Sequence, residues 1–286
     1  MSYYGQPVIK PPVWKVPDVP AYLYLGGMAG GCSTMALLAE VTGRARLARC
    51  GRLAAAAGAS ASVAFLVHDL GRPLRFLNML RVIKPTSPLS VGSWILAPFS
   101  GLTGAAAAAE LTGALPRAGR LAGGAAGLLA PAMTTYTAVL LSDTAVPGWH
   151  EGHRELPFVF AGSAVSSAGA VGLLAAPAEA EPARRMAVAG SVLELIAENR
   201  MERRMGLAAE AYRTGRAGAV LRAARVATGV GAALALAGRG RLARISAGAC
   251  LTAGAVATRY GVFEAGRVTA RDPRYTVEPQ RRRNDR

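Results

Sequence analysis

His68, Asp69, Tyr136, Asp143, Glu194 and Glu198 are the side chains in this sequence best suited to moving protons or to gripping a polar ligand away from bulk water. An imidazole titrates near neutrality. A tyrosine hydroxyl donates or accepts one hydrogen bond. A carboxylate can take up and return a proton. Glu194 and Glu198 are four residues apart, which puts both on one face of a helix. Each of the six lies inside or at the edge of a long apolar run. Ionisable groups in such places are costly and mark functional sites. Tyr22, Tyr24 and Trp94 begin apolar runs, and Glu40 and Glu110 end them.

The runs that must position these groups are transmembrane in length and composition. The strongest are Ala21–Val41, Leu53–Val67, Leu89–Ala109, Leu121–Leu141 and Leu156–Pro177. Three weaker ones follow at Ala183–Glu198, Ala217–Ala237 and Ile245–Phe263, interrupted by Glu194, by Arg222 and Arg225, and by Arg259. The sequence therefore predicts an all-α integral membrane protein with eight transmembrane helices. A polar N-terminal tail is expected over residues 1–20, the helical domain over 21–263 and a basic C-terminal tail over 264–286. Eight crossings put both termini on one side, together with Tyr22, Tyr24, His68, Asp69, Trp94, Tyr136, Asp143 and the Glu198 end of its segment. Glu40 and Glu110 fall on the other. That other side has the shorter loops and the denser arginines, so the termini are expected outside. The first 20 residues do not run from charged to apolar, so no cleaved leader is expected. Gly26–Gly31, GGMAGG, sits within a run and reads as small-residue helix packing.

Composition narrows the function. The chain of 286 residues is 52% hydrophobic and only 17% charged, which suits a bilayer. Its net charge of +16 is distributed over loops, and no basic–aromatic platform for nucleic acid is visible. Cys32, Cys50 and Cys250 form no CxxC pattern, so no iron–sulfur cluster or c-type haem is expected in this chain. Only His68 lies near a run, which leaves an intramembrane bis-histidine haem without its second ligand. His150 and His153 share a loop, and no metal site is assigned to them.

The stretch HDLGRPLRFLNMLRVIKPTSPLSVGSW, His68–Trp94, is dense in charge and proline between two apolar runs. Gly71-Arg72-Pro73 must turn sharply, and an Asp69–Arg72 pair would hold that turn. With YLYLGGMAGG at Tyr22–Gly31, SDTAVPGWHEGHRELPFVFAGSA at Ser142–Ala164 and AGRVTARDPRYTVEPQ at Ala265–Gln280, this stretch resembles the polysulfide-reductase/NrfD family of quinone-reactive membrane subunits. The resemblance covers nearly the whole chain, least clearly over 178–240. It implies eight helices in two four-helix bundles in the cell membrane. It also implies a [4Fe–4S] electron-transfer partner, a molybdopterin catalytic subunit, and a menaquinone or other quinone bound near the docking face. On that basis Tyr24, His68, Asp69, Arg72, Tyr136 and Asp143 are the expected quinone-site residues, and Glu194, Glu198, Glu40 and Glu110 the expected proton carriers. Arg75, Arg81, Lys84 and Trp94 are expected to meet the partner. Asn and His quinone ligands that some members carry early in the first helix are absent here, where Tyr22 and Tyr24 stand. Two other readings compete. A secondary transporter would suit eight spans with mid-depth polar groups, but no inverted repeat is visible. A purely structural anchor would bind no quinone.

Overall fold

The computed structural model describes residues 8–71, 78–238 and 240–284, and all secondary structure among them is helical. Eight long helices follow one another: α1 (Asp18–Val41), α2 (Ala45–Asp69), α3 (Pro88–Thr112), α4 (Pro116–Ser142), α5 (Leu156–Ala175), α6 (Ala180–Arg204), α7 (Gly215–Ala237) and α8 (Arg241–Arg271). Among the described residues there are also single turns at Pro147–His150 and Glu210–Arg213, 3-10 turns at Pro177–Glu179 and Gly206–Ala209, and a C-terminal helix at Arg274–Asn284. Local chemistry fixes several of the boundaries. Ser87 caps α3 by accepting from the Ser90 amide, and Pro88 occupies the first turn, where no amide donor is needed. Gly113, with φ 71°, ends α3 in the left-handed region that glycine tolerates.

Five helices, α2, α3, α4, α5 and α7, are long and apolar enough to cross a membrane. This marks a multi-pass membrane protein. The set differs from the five strongest runs of the sequence: α7 is in it and α1 is not. Arg222 and Arg225 crowd into the first half of α7, which leaves the rest clean. α1 is diluted by Gly26, Gly27, Gly30, Gly31, Ser33 and Thr34.

Those small residues suit the place of α1 in the fold. It packs on α2, α4, α5 and α8 and has more helical neighbours than its own hairpin partner supplies. A Cβ at Gly31 would lie 2.2 Å from the Ala164 carbonyl oxygen of α5, so only glycine permits that approach. The helices α1–α4 form one ring of contacts, 1 to 2 to 3 to 4 and back to 1. Helices α5–α8 form a second, and α1 with α4 joins it to the first through α5.

The short turns after α1, α3, α5 and α7 share one end of the molecule. The longer connections, the N-terminal segment and the C-terminal helix share the other. At that second end Trp14, Trp149 and Phe263 stack with centroids 5.4 and 5.7 Å apart, and the Trp149 indole donates to the Val262 carbonyl at 2.9 Å. This ties the N-terminal segment and the α4–α5 connection to α8. Residues 18–20, on the tail side of the expected boundary, already belong to α1 and are buried. α8 runs on past residue 263 to Arg271.

Candidate functional site

The first polar cluster lies in the α1–α4 ring. The hydroxyls of Tyr22 (α1) and Tyr136 (α4) hydrogen-bond to each other, and both rings are buried. Tyr136 packs closely on Gly92 of α3: a Cβ there would come within 2.7 Å of the ring. Ser62 of α2 donates to the Tyr22 carbonyl at 3.2 Å, so all four helices converge on the pair. Beside it is a cavity of about 20 Å³, lined by Leu66, Met79, Leu89, Ser93, Leu96 and Leu140 as well as the tyrosines. The two tyrosine hydroxyls, with Ser93 in a mostly apolar lining, can orient one small polar group.

Tyr24, two residues on, faces the other way. Its hydroxyl lies 3.7 Å from the Met28 sulfur, and its polar surroundings are Ser167, Thr252 and Arg259 of the second ring. Helical geometry forces this, since residues two apart point to different sides.

His68 and Asp69 close the same end of α2. His68 Nδ1 lies 2.8 Å from the carboxylate of Asp18, which is buried at the start of α1. Asp69 accepts from the Lys15 amide at 2.9 Å. Both thereby pin the N-terminal segment, while the His68 ring itself stays largely exposed. Asp143 is exposed just after α4, and Arg81, Lys84 and Trp94 are exposed around the start of α3. The loop carrying Arg81 and Lys84 is tied to α3 by Ser90 and Ser93, through Lys84 N to Ser90 Oγ at 3.0 Å and Ser93 Oγ to Met79 O at 3.3 Å. Arg72 and Arg75, and with them the expected Asp69–Arg72 pair, lie outside the described residues.

The second cluster is a ladder of carboxylates on α6. Glu202, nearest the end, is held by Arg213 at 3.0 Å and Arg225 at 2.9 Å. Glu198, one turn deeper, has Arg225 at 3.7 Å. Glu194, deeper again, is fully enclosed, with Ser163 of α5 and Thr258 and Arg259 of α8 around it. All four carboxylate oxygens of Glu194 and Glu198 are buried without a hydrogen-bond partner. Arg259 is enclosed too. Its guanidinium lies 3.6 Å from the Phe160 ring centroid and donates from Nη2 to the Phe160 carbonyl at 2.8 Å. The spacing of Glu194, Glu198 and Glu202 was present in the sequence. The partner Arg225 belongs to α7, and only packing brings it there.

At the opposite end Glu40 and Glu110 meet in one structure. Both grip Arg52 of α2, at 2.9 and 2.7 Å, and Arg49 adds a looser contact to Glu110 at 3.8 Å.

A further ion pair ties the α4–α5 connection to the end of α6. Arg204 makes three hydrogen bonds of 2.7–2.9 Å to the buried Glu155 carboxylate, from Nε and Nη2, and another to the Glu151 carbonyl. The guanidinium holds the Glu155 carboxyl below its usual range. Nothing in the spacing of Glu155 and Arg204 announced this pair. His150 and His153 each donate from Nδ1 to a backbone carbonyl, Ser142 O and His150 O, and their rings stack. Among the described residues no three metal-ligating side chains gather.

Against known families, the model described as polysulphide reductase, NrfD matches residues 8–196, from the N-terminal segment well into α6. No curated protein matches the chain.

Proposed function

The chain belongs to the polysulphide reductase, NrfD family, and on that premise we propose that it is the quinone-reactive membrane subunit of an oxidoreductase complex. A [4Fe–4S] subunit and a molybdopterin catalytic subunit are its proposed partners. The observation that carries the reading is the buried Tyr22–Tyr136 pair beside an apolar cavity at the end where the long connections gather. One hydroxyl can satisfy the other while its partner donates to a quinone carbonyl. Menaquinone suits this lining, because its ring and tail are apolar between two carbonyls. The cavity holds about one water, so a headgroup needs Met79 and Leu66 to swing aside, and methionine is well suited to that.

Conversion between quinone and quinol exchanges two electrons and two protons. The electrons pass to or from the iron–sulfur partner, docked over the exposed Arg81 and Lys84. Asp69, His68 and Asp18, at the end of α2 and the start of α1, and Asp143, just after α4, are the proposed proton carriers for this site. Glu194 and Glu198 offer a separate proton route through the second ring. Glu40 and Glu110 have the task of holding Arg52.

The reading takes all eight long helices as spanning. α6 supports this by being inside out: Val192, Leu193 and Ile196 are exposed while Glu194 and Glu198 are buried. α8 repeats the pattern with Leu242, Ile245 and Val256 outside and Arg259 inside. The termini then share the docking side, proposed to be the outer one. The test is Tyr136→Phe in the assembled complex. Quinone-linked activity should fall while dye-linked activity of the soluble subunits survives. Wild-type quinone kinetics in that variant would leave a structural anchor as the better account.

A further inference from the structure

At the end of the molecule that carries the short turns, a cavity of about 230 Å³ opens between α2, α3 and α4. Arg52 of α2, Ala109 and Glu110 of α3, Gly113 of the turn, and Pro116 and Arg120 of α4 line it. The quinone reading gives this place no ligand. All three helices are among those apolar enough to cross a membrane. The cavity therefore lies where their spans end, at the depth of the lipid headgroups.

Its charges do not balance. Arg52 is the fixed member, paired with Glu40 at 2.9 Å and with Glu110 at 2.7 Å. Its stem lies on Gly123 of α4, where a Cβ would come 3.2 Å from Cδ. Arg49 is exposed and reaches only Glu110, loosely, at 3.8 Å. Arg120 is exposed at the cavity and makes no ion pair among the described residues. Three guanidiniums thus share two carboxylates, and one positive charge is left over. Arg52 already engages both carboxylates, so the donors still free for an anion sit mainly on Arg49 and Arg120. The flank of the cavity is apolar: Leu111, Leu115 and Leu121, next in the chain to its lining, are exposed. Leu115 also holds φ 48°, a left-handed conformation that a leucine keeps only where its surroundings impose it.

We propose that this cavity binds the phosphodiester of an anionic phospholipid, with the acyl chains against the exposed leucines. One phosphodiester carries one negative charge, which matches the surplus. Planar guanidiniums bond phosphate oxygens in pairs, and Arg49 and Arg120 approach from two different helices. Basic pockets between spanning helices suit such headgroups. A zwitterionic lipid brings its own cation to a site that already has one in excess. Free phosphate offers the same oxygens but has nothing to lay on the leucines. The proposal needs the chain to span a membrane and does not depend on the quinone reading.

The experiment uses the full chain in detergent and reads its melting temperature against the mole fraction of added phosphatidylglycerol. A ligand held only by the folded state raises that temperature. Phosphatidylglycerol should raise it to a plateau, while phosphatidylcholine and inorganic phosphate should leave it nearly unchanged. Arg49→Met and Arg120→Met should each increase the half-saturating fraction about fivefold. Both side chains are exposed, so the lipid-free melting temperature should stay that of the parent. Arg241→Met, at the same end but on α8, should keep the parent's half-saturation. An equal response to phosphatidylcholine overturns the proposal, and a full response to inorganic phosphate alone shows a free-anion site and overturns it too. So does an unchanged half-saturation in the double variant Arg49→Met/Arg120→Met. An equal loss in Arg241→Met would show a diffuse basic surface in place of this cavity.

Discussion

The two rings of helices bury polar groups in opposite ways. In α1–α4 the interior polar pair is neutral, Tyr22 with Tyr136, and the carboxylates Asp18, Glu40, Asp69 and Glu110 stay near the ends, each with a partner. In α5–α8 carboxyl groups run inward along α6, met by Arg225 at the outer two, and Arg259 is buried in the same ring. A hydroxyl pair costs little to bury once bonded and can exchange its partner for a ligand. A buried carboxylate is costly under any circumstance, so its retention points to a charge that must come and go. On the proposed reading, the first ring holds a neutral headgroup and the second passes protons.

That contrast can be broken first at the seam between the rings. Trp149 is wholly buried against Trp14, Phe263 and the bare face of Gly266. Trp149→Ala should cost about 3–5 kcal/mol, read as a large fall in melting temperature in detergent, with both activities lost together. Retained stability would mean that the rings do not depend on this joint.

The next largest effect tests the neutral pair. Tyr136→Phe and Tyr22→Phe should each lower quinone-linked turnover by about one to two decades, as removal of a buried partner worth ~1–3 kcal/mol implies. The double variant should be little worse than either single one, because the hydroxyls act as a unit. Additive losses would show two independent contacts instead.

Acid sensitivity sharpens the electrostatic side. Glu155 is held below its ordinary range by Arg204, so its contribution is present above the unfolded carboxylate value of about 4.3 and is lost as pH falls through the lower, folded one. Thermal unfolding of the wild type should therefore weaken below about pH 4. Arg204→Met should be less stable near neutrality by ~1–3 kcal/mol and flatter over the acid range. A curve parallel to wild type would remove Glu155 from the account of acid lability.

The smallest effect belongs to the exposed loop before α3. Arg81→Glu with Lys84→Glu should slow capture of the iron–sulfur partner and make it less dependent on salt, with quinone affinity unchanged. Unaltered association kinetics at low salt would place the docking surface elsewhere on that end.

Much of this was legible before packing was known. Apolar runs marked out the helices because the bilayer demands about 20 residues of hydrocarbon-compatible surface. Glu194 and Glu198 stood out because their cost in such a run is independent of tertiary detail. Family resemblance added the quinone and the partners, which no spacing in this chain encodes. α1 reads as a span in the sequence but is not among the five helices that are apolar enough on average, because the glycines that let it sit in the middle of the fold lower that average.

What the sequence determined by itself is thus the one-dimensional pattern: the helical class, the apolar segments, the acidic spacing on α6 and the charged connections. Tertiary structure alone decided who meets whom. It set Tyr22 rather than Tyr24 against Tyr136, gave Asp18 to His68, turned Glu40 and Glu110 into one clamp on Arg52, and laid Arg259 against Phe160 from 99 residues away. The reason is geometric: a helix fixes the angle between its own side chains, whereas the rotation of one helix against another is settled by close contacts such as Gly27 on Arg259 and Gly92 on Tyr136.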